Sequence, residues 1–176
     1  MIHDVRIIPH HVNPDARGTL STIFSQHDSR PLAPMQQWNR VHSHANVLRG
    51  LHAHLLYDEL YVPLSGRMFF LLKDARRRSP TFGAEMSFYS DEFPASSILV
   101  PIGVAHGVYF ETEGVLLYGL SAIYDGSGEF GCRWNDSEVA CRWPATEPSL
   151  SERDDCAGTF SAMADAMEQV ASRQRP

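Results

Sequence analysis

The chain is short of cysteine, of long apolar runs and of net positive charge. Its three cysteines, Cys132, Cys141 and Cys156, are an odd number with no metal-motif spacing. That argues against a disulfide framework and for reduced thiols in a cytoplasm. No apolar run approaches the length of a membrane span. The opening Met-Ile-His-Asp-Val-Arg carries no apolar signal core, so a cytoplasmic, non-membrane protein is expected. There is no internal repeat and no low-complexity segment. Lys plus Arg total 15 against 21 for Asp plus Glu, a formal net charge of -6. A uniformly acidic protein is a poor nucleic-acid partner. An anionic small ligand would need a local cluster of arginines.

What is present suffices for one domain spanning residues 1–176. Apolar residues make up 43% of the chain, so it is globular rather than disordered. Short β-rich segments follow one another at 5–9, 19–24, 36–42, 47–56, 59–64, 67–72, 85–89 and 97–101. Residues 104–111 and 115–122 are expected to form a hairpin around Thr112-Glu113-Gly114. Turn signals separate these segments, at 13–18 with Pro, Asp and Gly together, and at Ser65-Gly66. Residues 25–34 read as loop, and 73–78 as a charged loop in which Arg76, Arg77 and Arg78 are a solvated run. Many short strands at close spacing predict an all-β sandwich or barrel, not a βαβ fold. The tail differs. Phe160, Met163, Met167 and Val170 recur at helical spacing, which predicts one amphipathic helix over 158–173 with the methionines as packing residues.

The segment Val47–His54, Val-Leu-Arg-Gly-Leu-His-Ala-His, is the densest in chemistry. If it is extended, His52 and His54 point to one side, because side chains alternate along a strand. Two imidazoles on one face are a proton-transfer site, part of a metal site, or a pair of surface histidines.

A series of motifs runs in order along the chain. Asp15-Ala-Arg-Gly18, Gln37-Trp-Asn39 with Ser43, and Val47-Leu-Arg-Gly-Leu-His52 come first. Ser79-Pro-Thr-Phe-Gly83, Pro101-Ile-Gly-Val-Ala-His-Gly107 and Leu117-Tyr118 follow. Tyr124 with Glu129, Trp134-Asn-Asp136, Trp143-Pro144 and Ser151-Glu-Arg-Asp154 complete it. In this order and spacing the chain resembles the dTDP-4-dehydrorhamnose 3,5-epimerase family. The resemblance implies a cupin-type double-stranded β-helix, or jelly roll. It implies an isomerase acting on a nucleotide-diphosphate-linked 4-keto-6-deoxyhexose, with no required cofactor, and a homodimer with exchanged N-terminal strands. By position, His52 is the base, Asp154 holds it and Tyr118 returns a proton on the other face. An imidazole titrates near neutral pH and suits that work, and a carboxylate on its second nitrogen fixes the tautomer. On their own, Tyr118 reads as an ordinary strand aromatic and Asp154 as a solvated charge. Arg17, Gln37, Asn39, Arg49 and His106 match positions that hold the sugar, the diphosphate or nearby structure in relatives. Guanidinium groups bind diphosphate oxygens bidentately. Without the resemblance, Arg17 and Arg49 are equally well structural turn contacts.

The departures from that family are informative. Where it carries an enolate-stabilising lysine, this chain has Glu59, and a carboxylate opposes a developing negative charge. Its glutamine two residues beyond the base is His54 here, and its nucleotide-contacting residues after Arg-Gly become Thr19-Leu-Ser-Thr22. His52-x-His54-x4-Glu59-x6-Gly66 with Pro101-x-Gly103-x2-His106 resembles instead the metal-binding signature of the wider cupin superfamily. That second resemblance implies His52, His54, Glu59 and His106 as ligands of Zn, Fe, Ni or Mn, with coincidence as the alternative. A cation on His54, Glu59 and His106 alone would leave His52 as base, since one nitrogen cannot do both. Three functions follow: an epimerase, a metal-dependent cupin enzyme, and a nucleotide-sugar-binding relative without catalysis.

Overall fold

The computed structural model describes residues 1–24 and 33–173, so most of the loop expected at 25–34 lies outside the described residues. The strands are β1 (Arg6–Pro9), β2 (His11–Asp15), β3 (Gly18–Thr22), β4 (Gln37–Ser43), β5 (Val47–His54) and β6 (Glu59–Ser65). They continue with β7 (Met68–Asp74), β8 (Glu85–Tyr89), β9 (Ser96–Val100), β10 (Val104–Phe110), β11 (Gly114–Leu120) and β12 (Glu129–Gly131). A short helix α1 (Glu152–Asp155) and the terminal helix α2 (Phe160–Arg173) follow. Two five-stranded antiparallel sheets face each other, in the orders β1-β9-β6-β11-β4 and β12-β5-β10-β7-β8. From β4 to β7, and again from β8 to β11, each strand crosses to the opposite sheet, which is jelly-roll connectivity.

The run at 67–72 shows why this sheet pairing is needed. β7 is buried along its whole length. Phe70 and Leu72 face the core between the sheets, while Phe69 and Leu71 face the other way. A strand that is apolar on both faces needs cover on both. Phe88, Ile98, Val100 and Leu116 supply it inside, and α2 supplies it outside through Phe160, Met163, Ala164 and Met167. The helix begins two residues later than its periodicity predicts. Gly158 is bridged to Cys132, and the Thr159 hydroxyl accepts the Ala162 N–H at 3.2 Å as an N-cap.

The expected hairpin at 104–122 does not form. β10 pairs with β5 and β7, whereas β11 pairs with β4 and β6, so the turn between them crosses between the sheets. It packs against the turn at Gly66, where an added Cβ would meet the Glu113 carbonyl oxygen at 2.5 Å, at a φ of +84° that favours glycine. The charged loop expected at 73–78 is also corrected. Lys73 and Asp74 end β7 and are buried. Lys73 is the only lysine in the chain, and its Nζ bonds Glu85 at 2.8 Å and the Glu138 carbonyl at 2.8 Å. The arginines after it are not a free surface run. Arg76 bonds Asp74 at 2.8 Å, while Arg77 and Arg78 bind Asp165 and Glu168 on α2, each at 2.7 Å. β2, read from its Pro and Asp as part of a turn, pairs with β3 in a two-stranded ribbon that stands clear of both sheets. Leu20 on that ribbon is 72% exposed.

Candidate active site

A cavity of about 500 Å³ opens between the two sheets. β5 forms one wall. His52 and His54 face the cavity, while Leu51 and Ala53 join the core under α2, as strand alternation dictates. The β5–β10 register shifts beside Gly107, opposite Gly50. Gly50 has a φ of +119°, and a Cβ there would lie 2.6 Å from the His106 carbonyl oxygen. Only glycine fits this point, which sets where the two histidines fall.

His52 Nε2 lies 2.6 Å from Asp154 Oδ1. Asp154 is delivered by α1, whose N-cap Ser151 accepts the Asp154 N–H at 3.2 Å. Burial opposes the Asp154 charge, but the hydrogen bond and charge of His52 outweigh it and hold the carboxyl below its ordinary range. His52 remains partly open to solvent, at 23% side-chain exposure, while Asp154 is buried.

His54, Glu59 and His106 form a second assembly, deeper in the cavity. They come from β5, β6 and β10, and one ligand atom from each lies within 4.8 Å of the others. His106 Nε2 is 2.8 Å from Glu59 Oε2, and His54 Nε2 is 3.5 Å from Glu59 Oε1. The Tyr61 hydroxyl donates to Glu59 at 2.7 Å. His106 Nδ1 donates to the Val104 carbonyl at 3.1 Å, and His54 Nδ1 sits 2.9 Å from the Tyr57 hydroxyl. Burial opposes the Glu59 charge, but His106, His54 and Tyr61 outweigh it and pull its pKa to about 2. Burial likewise opposes charge on His106, yet Glu59 wins and raises its pKa. Burial dominates at His54 and lowers it to about 4. Of the four expected metal ligands the structure thus gathers three. His52 is not among them, and its Nε2 is turned to Asp154.

The other sheet forms the facing wall. Tyr118 on β11 lies opposite Asn39 on β4 and Tyr61 on β6. Burial and the Glu59 charge raise the Tyr118 pKa, so its hydroxyl keeps its proton. Gln37 bonds Asn39 at 3.0 Å and the Tyr124 N–H at 3.0 Å. Arg49 is at the mouth, its Nε bonded to Ser43 at 3.0 Å. Gln37, Asn39, Arg49 and His106 therefore join His52, Tyr118 and Asp154 around one cavity. Arg17 does not. It sits at the tip of the β2–β3 ribbon, 89% exposed and paired with Asp15 at 2.6 Å.

Tyr57, Tyr61 and Arg153 also line the cavity and had no role in the sequence reading. Glu129, like Arg153, stands in a sequence motif without a role of its own. It holds Arg153, and the Tyr124 hydroxyl donates to it at 3.3 Å. Tyr57 and Tyr61 flank Glu59 at two residues on either side, the one signal that strand alternation offered.

Two facing sheets around a polar cavity of this composition define a cupin-type enzyme. The family model of dTDP-4-dehydrorhamnose 3,5-epimerase matches residues 1–162. The dTDP-4-dehydrorhamnose 3,5-epimerase of Mycobacterium tuberculosis is 34% identical over 160 residues, covering 85% of this chain and 79% of that one. The Salmonella typhimurium enzyme of the same name is 31% identical over 162 residues, covering 87% and 88%. Among solved structures, an epimerase of Mycobacterium tuberculosis superposes with a TM-score of 0.84 at 28% identity, covering 98% of this chain and 96% of that one. The Legionella pneumophila 3,5-epimerase in complex with dTDP-4-keto-L-rhamnose gives 0.84 at 27%, covering 95% and 93%. This chain belongs to the dTDP-4-dehydrorhamnose 3,5-epimerase family, and is an isomerase of deoxysugar biosynthesis.

Proposed function

We propose that the protein epimerises C3, C5 or both of a nucleotide-diphosphate-linked 4-keto-6-deoxyhexose, with His52 as base and Tyr118 as acid. The observation that carries this reading is the 2.6 Å His52–Asp154 contact on one wall with Tyr118 on the other. The substrate ketone acidifies the hydrogens on its neighbouring carbons. His52 removes one through Nδ1, because Nε2 is engaged by Asp154, which stabilises the imidazolium that forms. Tyr118, kept protonated by burial, returns a proton to the opposite face of the enolate. Inversion needs donors on two faces, and residues from two facing sheets meet that requirement. Gln37 and Asn39 hold the sugar, His106 lies beside it, and Arg49 meets the diphosphate at the mouth. His52 and Tyr118 carry both proton transfers themselves.

The chain works as a cytoplasmic homodimer. No helix among the described residues is long and apolar enough to cross a membrane. The ribbon with exposed Leu20 gains cover from a second copy, and Arg17 reaches a substrate only across such an interface.

The test is solvent deuterium exchange with a panel of dTDP-, GDP-, CDP- and UDP-4-keto-6-deoxy sugars. Incorporation at C3 or C5 of one member is expected, and none across the whole panel overturns the reading. Tyr118→Phe should retain exchange at the carbon served by His52 while losing inversion. Unchanged product stereochemistry removes Tyr118 from the scheme.

A further inference from the structure

We propose that His54, Glu59 and His106 form a binding site for one divalent first-row transition ion, at the floor of the same cavity. The inference deepens the epimerase reading and rests on it for its purpose, though not for the binding itself.

Proton removal beside a ketone places negative charge on the keto oxygen, and that charge needs a positive partner. Among the described residues, the Lys and Arg side chains that line the cavity are Arg49 and Arg153, and neither reaches its floor. Lys73, the chain's only lysine, lies behind the sheet wall, bonded to Glu85 with Nζ 4.6 Å from the Phe160 ring. Arg153 is held by Glu129 and Arg49 by Ser43, both at the mouth. Both ring nitrogens of His106 are occupied, by Glu59 and by the Val104 carbonyl. The floor therefore presents a carboxylate and the imidazole it engages, with no free cation among the described residues that line it.

The same residues are arranged to correct this. Three strands bring two imidazoles and one carboxylate to a point, all three side chains at about 5% exposure. Each Glu59 oxygen faces one imidazole Nε2. Each Nδ1 has a partner on its far side, Tyr57 for His54 and the Val104 carbonyl for His106. The Val104 carbonyl can only accept, so it sets the His106 tautomer whose Nε2 is the ligand atom; the Tyr57 hydroxyl can accept from His54 Nδ1 in the same sense, and the Tyr61 hydroxyl orients the carboxylate. Nitrogen and oxygen donors of this set suit Zn, Fe(II), Ni or Mn. A divalent ion beside one carboxylate and two neutral imidazoles leaves one net positive charge, the charge of an ammonium group. When bound, it supplies Lewis-acid stabilisation at the keto oxygen. His52 is outside the ligand set and stays available as base.

The experiment uses tag-free full-length protein, stripped with chelator and titrated with Co(II). Saturation at one ion per chain, with visible ligand-field bands, is expected. Glu59→Gln should lose the bands, and Tyr57→Phe should weaken binding about 10- to 100-fold. His52→Gln should bind as the parent does. A folded parent protein, verified by circular dichroism, that shows no saturable binding overturns the site. Loss of binding in His52→Gln overturns the three-ligand assignment. Deuterium exchange on the stripped protein separates the two readings. Full exchange without metal removes the ion's role and leaves the epimerase. Binding without exchange keeps the site and removes its proposed purpose.

Discussion

His52–Asp154 and His54–Glu59–His106 are two imidazole–carboxylate assemblies, two residues apart on one strand, and they differ in what surrounds them. The first is half open, and its carboxylate comes from a short helix. The second is buried, and its carboxylate is shared by two histidines and a tyrosine. An imidazole open to a cavity can exchange its proton with a substrate. One whose nitrogens are both occupied holds charge in place. Identity of side chain does not set the role; access does.

The largest expected effect comes from removing the open imidazole. His52→Gln keeps a donor for Asp154 but cannot take up a proton, so deuterium exchange should fall by about 10²- to 10⁴-fold while the melting curve stays close to the parent's. A large loss of stability with activity retained would reverse the two roles. Next is Glu59→Gln, measured by denaturant unfolding of metal-free protein. It leaves His106 buried without its counter-charge and should cost about 3–5 kcal/mol; a change under about 1 kcal/mol would mean the deeper assembly holds nothing in place. A smaller effect concerns Tyr118. Its pKa is raised above 10.0, so the protonated form persists to higher pH, and the alkaline limb of kcat/KM should lie above pH 10. A limb below that would take Tyr118 out of the donor role. The smallest belongs to a pair outside both assemblies. Arg78 is 59% exposed where it meets Glu168, so Arg78→Ala should cost about 0.2–1 kcal/mol, and less in high salt. A cost comparable with that of Glu59→Gln would undo the contrast between buried and open pairs.

The strands were legible because two-residue alternation and turn chemistry are local. The sheet each strand joins is not local. The signals around Thr112-Glu113-Gly114 mark where the chain reverses, and a hairpin and a crossing turn share them. β2 was missed because Pro14 and Asp15 are turn residues that an isolated ribbon tolerates. His52 and His54 were legible as neighbours on one face. Asp154 lies 102 residues from His52, in a charged run that looks solvated, and only family resemblance marked it. The same distance explains why a spacing signature counted His52 among the metal ligands: spacing does not reveal a competing carboxylate from the far end of the chain. Tyr57 and Tyr61 were unmarked because their value lies in hydroxyl placement, which depends on the turn into β6 and on β6 register rather than on residue type. Arg77 and Arg78 read as solvated because their partners on α2 appear only once the helix docks.

The bend at Gly50 has a consequence for how this chemistry is encoded. Because neighbouring side chains on β5 point in opposite directions, inserting one residue between Gly50 and Leu51 would turn both imidazoles toward α2. Leu51 and Ala53 would then face the cavity. The same polypeptide, one step out of phase, would present grease where it now presents bases, so a single codon inserted there should silence the enzyme while altering no residue that does chemistry.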